Sequence, residues 1–115
     1  MVETGFKRLW VSVGSLAELR VIPIGTKTTS LSSYVAKVIE LIKSRGYNYF
    51  ISPMGTSIEV KTFDDIAKLL EVIANTLKSE GVQRIVVDIA IDIRFDKDAH
   101  LESKIRSIEE KLAIA

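Results

Sequence analysis

Two short segments combine hydroxyl groups with glycine and proline in a pattern that suits a small-molecule site. The first, Pro23–Ser33, is rich in Thr and Ser, and the second, Pro53–Thr56, contains Met54. Hydroxyls and free backbone N–H groups at the start of a helix can bind a polar ligand, while apolar side chains supply walls. Turn formation and helix capping explain the same residues without any ligand. Only the positions of these residues in the fold can distinguish a ligand site from turn formation and helix capping.

The remaining reactive side chains are too isolated to form a catalytic or metal centre. His100 is the single histidine and lies in a polar stretch, whereas a metal site usually needs several ligands. The acidic pairs Asp64–Asp65 and Glu109–Glu110 are sequence neighbours, which do not face each other on a helix. There is no cysteine, and neither a phosphate-binding loop nor a dinucleotide fingerprint is present. We therefore expect no enzyme, no metal and a surface histidine.

Composition indicates one cytoplasmic domain. Its length of 115 residues suits a single core, with 47% hydrophobic and 27% charged residues. A net charge of +1 gives no general attraction to nucleic acid or membrane, and no apolar run spans a bilayer. We interpret residues 1–15 as an N-terminal extension, a tail or an extra strand, and residues 16–115 as the domain. A single glutamine among abundant Ile, Lys and Glu resembles thermophile composition.

Two amphipathic helices and a third, terminal one are predicted from apolar residues at helical spacing. Gly46 and Gly81 suit the left-handed residue that ends the first two. Ser30 or Ser32 is expected to cap the first helix, and Thr62 or Asp64 the second. The apolar positions are Val35, Val38, Ile39 and Ile42; Ile66, Leu69, Leu70 and Ile73; and Leu101, Ile105, Ile108 and Leu112.

Four strands surround the first two helices. They are predicted at Ala17–Ile24, Tyr47–Ser52, Thr56–Thr62 and Gln83–Phe95. The last strand alternates with period two, and its odd-numbered Ile and Val residues predict one dry face against the helices. The resulting order, βαββαβ plus a terminal helix, predicts an α+β, ferredoxin-like sandwich.

This topology makes predictions about both faces of the sheet. The first two strands run parallel, so the hydroxyl-rich segment and the Pro53–Thr56 turn should share one end. On the open face, Arg20 and Asp88 should pair across neighbouring strands. Strands one and three lack the exposed aromatic residues of an RNA-binding domain. The half-polar open face and the long edge strand favour a homo-oligomer.

The same two segments resemble the thiamine-binding protein family. The resemblance rests on Ile22–Thr26, Ser30–Val35, Pro53–Glu59, Ile91–Lys97 and Lys104–Lys111, and it covers Ala17 to about Leu112. It implies a βαββαβ domain that forms homodimers and, by pairing of dimers, homotetramers. It also implies binding of thiamine or its hydroxymethylpyrimidine moiety, with no known catalysis. The chain departs from the family pattern at Val60, Val87, Asp88, Ile93 and Phe95.

From the resemblance and the chemistry of thiamine we expect polar side chains that hydrogen-bond the ligand and apolar side chains that form the walls of the pocket. The candidate ligand-binding residues are Ser30, Ser32, Tyr34, Met54, Thr56, Glu59, Asp92 and Arg94. Strand parity turns Glu59 away from the helices, and Asp92 and Arg94 fall at the far end of the same subunit. These three would reach the pocket only from another subunit, and interface salt bridges explain them equally well. A small ferredoxin-like dimeric enzyme of isomerase or oxygenase type, and a ligand-free structural or regulatory subunit, are the alternatives.

Overall fold

The computed structural model of the protein describes residues 15–28, 30–96 and 100–114. The predicted extension at residues 1–15 lies outside this range except for its last residue. Seven elements follow one another along the described chain. They are β1 (Ser15–Ile24), α1 (Ser32–Ser44), β2 (Tyr49–Ser52), β3 (Gly55–Val60), α2 (Phe63–Ser79), β4 (Arg84–Ile93) and α3 (Leu101–Ile114).

The four strands form one antiparallel sheet in the order β2-β3-β1-β4. β1 pairs with β3 through Ala17 opposite Ile58, and with β4 through Arg20 opposite Asp88. Because β2 and β1 both run antiparallel to β3, they are parallel to each other. The α+β, ferredoxin-like prediction is confirmed, with α3 as the additional C-terminal helix.

The hydrophobic core fills the space between one face of the sheet and helices α1 and α2. Ile58 of β3 is completely buried there, as are Ile42 of α1 and Ile73 of α2. Alternation along β1 places Ala17 and Leu19 on this face, both almost fully buried. Burial of such side chains contributes about 1.5–3 kcal/mol each, so this face dominates the stability of the domain.

Glycine and capping chemistry set the ends of the helices. Gly46 and Gly81 have φ values of 81° and 89°, which confirms the predicted left-handed positions. Thr62 caps α2: its hydroxyl accepts the Asp65 N–H at 3.1 Å, and the Asp65 carboxylate accepts the Thr62 N–H at 3.2 Å. β3 therefore ends at Val60, earlier than the predicted Thr62.

The predicted serine cap of α1 is wrong. Leu31 occupies the N-cap position, and no side chain caps the helix. The backbone N–H groups of Tyr34 and Val35 bond to the Leu31 carbonyl instead, at 3.1 and 3.0 Å. Ser30 and Ser32 are therefore not occupied by capping.

The predicted dry face of the last strand is also only partly right. Ile85 and Val87 pack against the core, but Ile89 and Ile91 remain 37% and 39% exposed. β4 is an edge strand, and α1 and α2 pack over β1 and β3, so the second half of β4 extends beyond the helices. The alternating isoleucines predicted the strand correctly. They could not show that the helical layer covers only the first half of it.

Candidate functional site

A cleft forms where the hydroxyl-rich segment meets the β2–β3 hairpin, as the parallel arrangement of β1 and β2 predicts. Its volume is about 230 Å³. Its floor includes Leu19 and Val21 of β1, and one wall is the start of α1, with Leu31 and Val35. The opposite wall is the hairpin segment Ile51–Thr56. We call this site the hairpin cleft.

The hairpin positions its side chains through a two-residue turn. Ser52 pairs with Gly55, and the Ser52 hydroxyl donates to the Gly55 carbonyl at 3.1 Å. This leaves Met54 at the tip, 66% exposed, and turns Thr56 inward, where it is almost fully buried. Met54 and Thr56 are thus the two predicted site residues that line the hairpin cleft directly.

The loop before α1 satisfies some of its own hydroxyls. Thr26 Oγ1 donates to the Thr28 carbonyl at 2.7 Å, and Thr28 Oγ1 accepts the Ser30 N–H at 3.1 Å. The hydroxyls of Ser30 and Ser32 lie 3.4 Å apart, are exposed and flank Leu31 of the cleft wall. Tyr34 is half-buried and packs against the core. Ser30 and Ser32 are thus available beside the cleft, whereas Tyr34 is a core-packing residue.

Glu59 lies on the opposite face of the sheet and anchors helix α3. One carboxylate oxygen accepts the Leu101 N–H at 2.7 Å, and the other accepts the Asn48 side-chain N–H at 3.0 Å. His100 Nδ1 lies 3.6 Å from the same carboxylate. Partial burial raises the pKa of Glu59, but the hydrogen bonds from Asn48 and Leu101, helped by His100, outweigh it and hold that pKa below its usual range.

Asp92 and Arg94 also lie far from the hairpin cleft. Asp92 sits opposite Leu16, at the start of β1, and forms an ion pair with Lys104 of α3. Arg94 follows β4 and pairs with Asp96. Within one subunit, the predicted site residues therefore fall into two groups at opposite ends of the sheet.

The sequence reasoning missed several residues around these two groups. Leu31, Val35 and Ile51 line the hairpin cleft as exposed or half-buried apolar residues. Their signal was the apolar character of residues next to predicted turn and cap positions. His100 was predicted as a surface histidine; its side chain is 52% exposed, beside Glu59.

The described residues contain no group of three or more side chains suited to hold a metal ion. In the same part of the chain, no helix has the length and apolar character needed to span a bilayer.

Comparison with known proteins identifies the family. The profile of the family described as thiamine-binding protein matches residues 17–109. A UPF0045 protein of Methanothermobacter thermautotrophicus is 40% identical over 96 residues, covering 84% of this chain and 97% of the relative. The UPF0045 protein YqgV of Bacillus subtilis is 37% identical over 102 residues, covering 85% and 97%.

Solved structures agree with the fold. The crystal structure of the hypothetical protein MJ1052 of Methanocaldococcus jannaschii aligns with a TM-score of 0.74 at 35% identity, covering 84% of this chain and 97% of that one. A Thermotoga maritima protein provisionally assigned to thiamine biosynthesis or salvage aligns with a TM-score of 0.71 at 23% identity, covering 83% and 98%. The chain belongs to the thiamine-binding protein family.

Proposed function

We propose that this protein is a non-catalytic, cytoplasmic small-molecule carrier that binds thiamine or its hydroxymethylpyrimidine moiety as a homo-oligomer. The observation that carries the proposal is the hairpin cleft, which joins the two chemically distinctive segments of the sequence in one concave site. The family name and the thiamine-related assignment of the Thermotoga maritima protein support the choice of ligand.

The size of the cleft favours the pyrimidine ring over the whole vitamin. Pockets that enclose a drug-sized ligand usually measure about 300–1,000 Å³, whereas the hairpin cleft measures about 230 Å³. Val35 and Met54 supply apolar walls for a flat ring, and Thr56 with the nearby Ser30 and Ser32 supplies hydroxyls. In this arrangement the pyrimidine enters the cleft and the thiazolium ring points outward.

In the proposed oligomer, acidic and basic groups of one copy would lie at the cleft end of the other copy's sheet. The outer edge of β4 pairs with no other strand of the described chain, and Val86, Ile89 and Ile91 are partly exposed along it. An unpaired edge with apolar side chains favours pairing with a second copy. Two β4 strands paired antiparallel would carry Asp92 and Arg94 of one copy toward the Arg84 end of the other. That end adjoins the last residues of β1 and therefore lies at the cleft end of the sheet.

Calorimetric titration with thiamine and with hydroxymethylpyrimidine tests the proposal. We expect both to bind the wild-type protein, and Met54→Ala to weaken both by about five- to tenfold through lost apolar contact. Leu112→Ala is the matched control, because Leu112 is similarly exposed, at 69%, but lies on α3 away from the hairpin cleft. Neither heat nor a thermal shift from either compound would overturn the function. Equal losses in the two variants would overturn the assignment to the hairpin cleft.

The oligomeric part is tested separately by sedimentation equilibrium. Ile89→Lys places a charge on the exposed edge of β4 and should convert the assembly to monomers. Val35 is similarly exposed, at 41%, but lies on α1, so Val35→Lys is the control that should leave the mass unchanged. A monomeric wild-type protein, or an unchanged mass for Ile89→Lys, would contradict edge pairing.

A further inference from the structure

A second concave site lies on the opposite face of the sheet, beneath α3. It measures about 370 Å³, and we call it the α3 groove. Its lining is mainly apolar, with residues from all four strands and from the first turns of α3. The apolar residues are Leu16, Ala17, Phe50, Ala90, Ile91, Leu101 and Ile105.

The roof of the α3 groove is fixed by two polar contacts at the start of α3. Glu59 accepts the Leu101 N–H at 2.7 Å, so a carboxylate caps the helix N-terminus. One turn further along, Lys104 forms an ion pair with Asp92 of β4. These contacts hold Leu101 and Ile105 above the sheet, so the groove exists before any ligand arrives.

Glu18 brings a carboxylate into this groove. The other carboxylate in its lining, Asp92, pairs with Lys104, which lines the groove as well. No ion pair or side-chain hydrogen bond joins Glu18 to another residue in the described ranges. Glu18 lies on the central strand β1, opposite Ser57 and Ala90, so its charge is in the middle of the open face.

The Glu18 side chain lies beside Gly55 of the hairpin. A Cβ atom at Gly55 would lie 3.5 Å from Glu18 Cγ and 3.7 Å from Cδ. The Glu18 carboxyl group therefore rests over the glycine at the start of β3.

We propose that the α3 groove is a binding site for a small organic cation. Glu18 supplies the counter-charge, Phe50 supplies an aromatic ring and Ile105 covers the apolar part of the ligand. Quaternary ammonium groups bind in this way, because their low-charge-density surface suits aromatic rings and a carboxylate balances the charge. The site lies on the face opposite the hairpin cleft and needs no pyrimidine, so it goes beyond the proposed function.

A matched pair of probes tests this site through charge alone. Choline and 3,3-dimethylbutan-1-ol have nearly the same shape, but only choline is a cation. In calorimetric titrations we expect the wild-type protein to bind choline about tenfold more tightly than the alcohol. Glu18→Gln should abolish that preference while leaving thermal melting unchanged. Glu40→Gln, an exposed carboxylate on α1, should keep it.

Three results would overturn the inference. Equal affinity for the two probes, or none for choline, shows that the groove does not select a cation. A preference that survives Glu18→Gln places the cation elsewhere. A change in sedimentation mass on Glu18→Gln, with no choline binding, assigns the groove to a second copy of the chain. Loss of hydroxymethylpyrimidine binding by Met54→Ala reports only on the hairpin cleft, so the two proposals fail separately.

Discussion

The two faces of the sheet hold their side chains in place by different means. On the helix-covered face, apolar residues such as Ile58 and Leu69 are fully enclosed, with relative exposures of 0% and 1%. On the open face, Phe50 remains 52% exposed, and α3 is held mainly by polar contacts to Glu59 and Asp92. Non-directional burial stabilises the first face. The second depends on a few directional bonds, so it is the face with room for ligands or partners.

The largest expected effect comes from deleting a side chain on the helix-covered face. Leu69→Ala leaves a cavity in the core beneath α2 and should lower the free energy of unfolding by about 2–5 kcal/mol. Phe50→Ala removes a residue that is already half solvated and should cost less than about 1 kcal/mol. Urea unfolding of the two variants measures the difference. Similar losses would show that the open face is as enclosed as the core.

Removing the anchor of α3 should have the next largest effect. Glu59→Ala leaves the Leu101 N–H and the Asn48 amide without their partner and should cost about 1–3 kcal/mol. Amide exchange of Leu101–Ile114 should accelerate, because α3 has few other contacts. Glu110→Ala, which removes an exposed carboxylate from the same helix, is the control and should change neither quantity. Unchanged protection in Glu59→Ala would mean that apolar contacts alone hold α3.

The same anchor predicts a pH dependence of stability. The folded-state pKa of Glu59 lies below the ordinary value of 4.5, so its contribution is complete above pH 4.5. The contribution is lost as the pH falls through the lower folded value, because the protonated carboxyl accepts these bonds poorly. The difference in free energy of unfolding between the wild type and Glu59→Gln should therefore become smaller as the pH falls from 6 to 3. A constant gap over that range would contradict the lowered pKa.

The sequence predicted the enclosed face better than the open one, for a physical reason. Helical spacing records which residues are buried, so Ile42 and Leu69 were placed correctly by their spacing alone. The hairpin cleft followed as well, because parallel β1 and β2 must end together. Anchoring of α3 by Glu59 needed the distance between β3 and α3, which lie far apart in sequence, and no pattern encodes that distance. The position of Leu31 as the N-cap of α1 could not be predicted either. Ser30 and Ser32 on either side of it are both typical N-cap residues.

Capping chemistry should produce an intermediate effect that differs between two helices. Thr62→Ala removes half of a reciprocal capping box and should destabilise the protein by about 1 kcal/mol. Ser32→Ala removes a hydroxyl that caps nothing and should change stability by less than about 0.5 kcal/mol. Thermal unfolding of both variants tests the contrast. A comparable loss of stability in Ser32→Ala would indicate that the Ser32 hydroxyl caps α1. That hydroxyl would then not be free to bind a ligand in the hairpin cleft.

The smallest expected effect lies at the centre of the open face. Arg20 and Asp88 form an ion pair of 2.5 Å, as the cross-strand register predicted, but their side chains are 44% and 54% exposed. A double-mutant cycle with Arg20→Ala and Asp88→Ala should give a coupling of about 0.2–1 kcal/mol. That coupling should fade in 1 M salt, because mobile ions screen exposed charges. A larger coupling that resists salt would mean that water is excluded from this pair. The open face would then be covered in solution, and the contrast between the two faces would hold only for the isolated subunit.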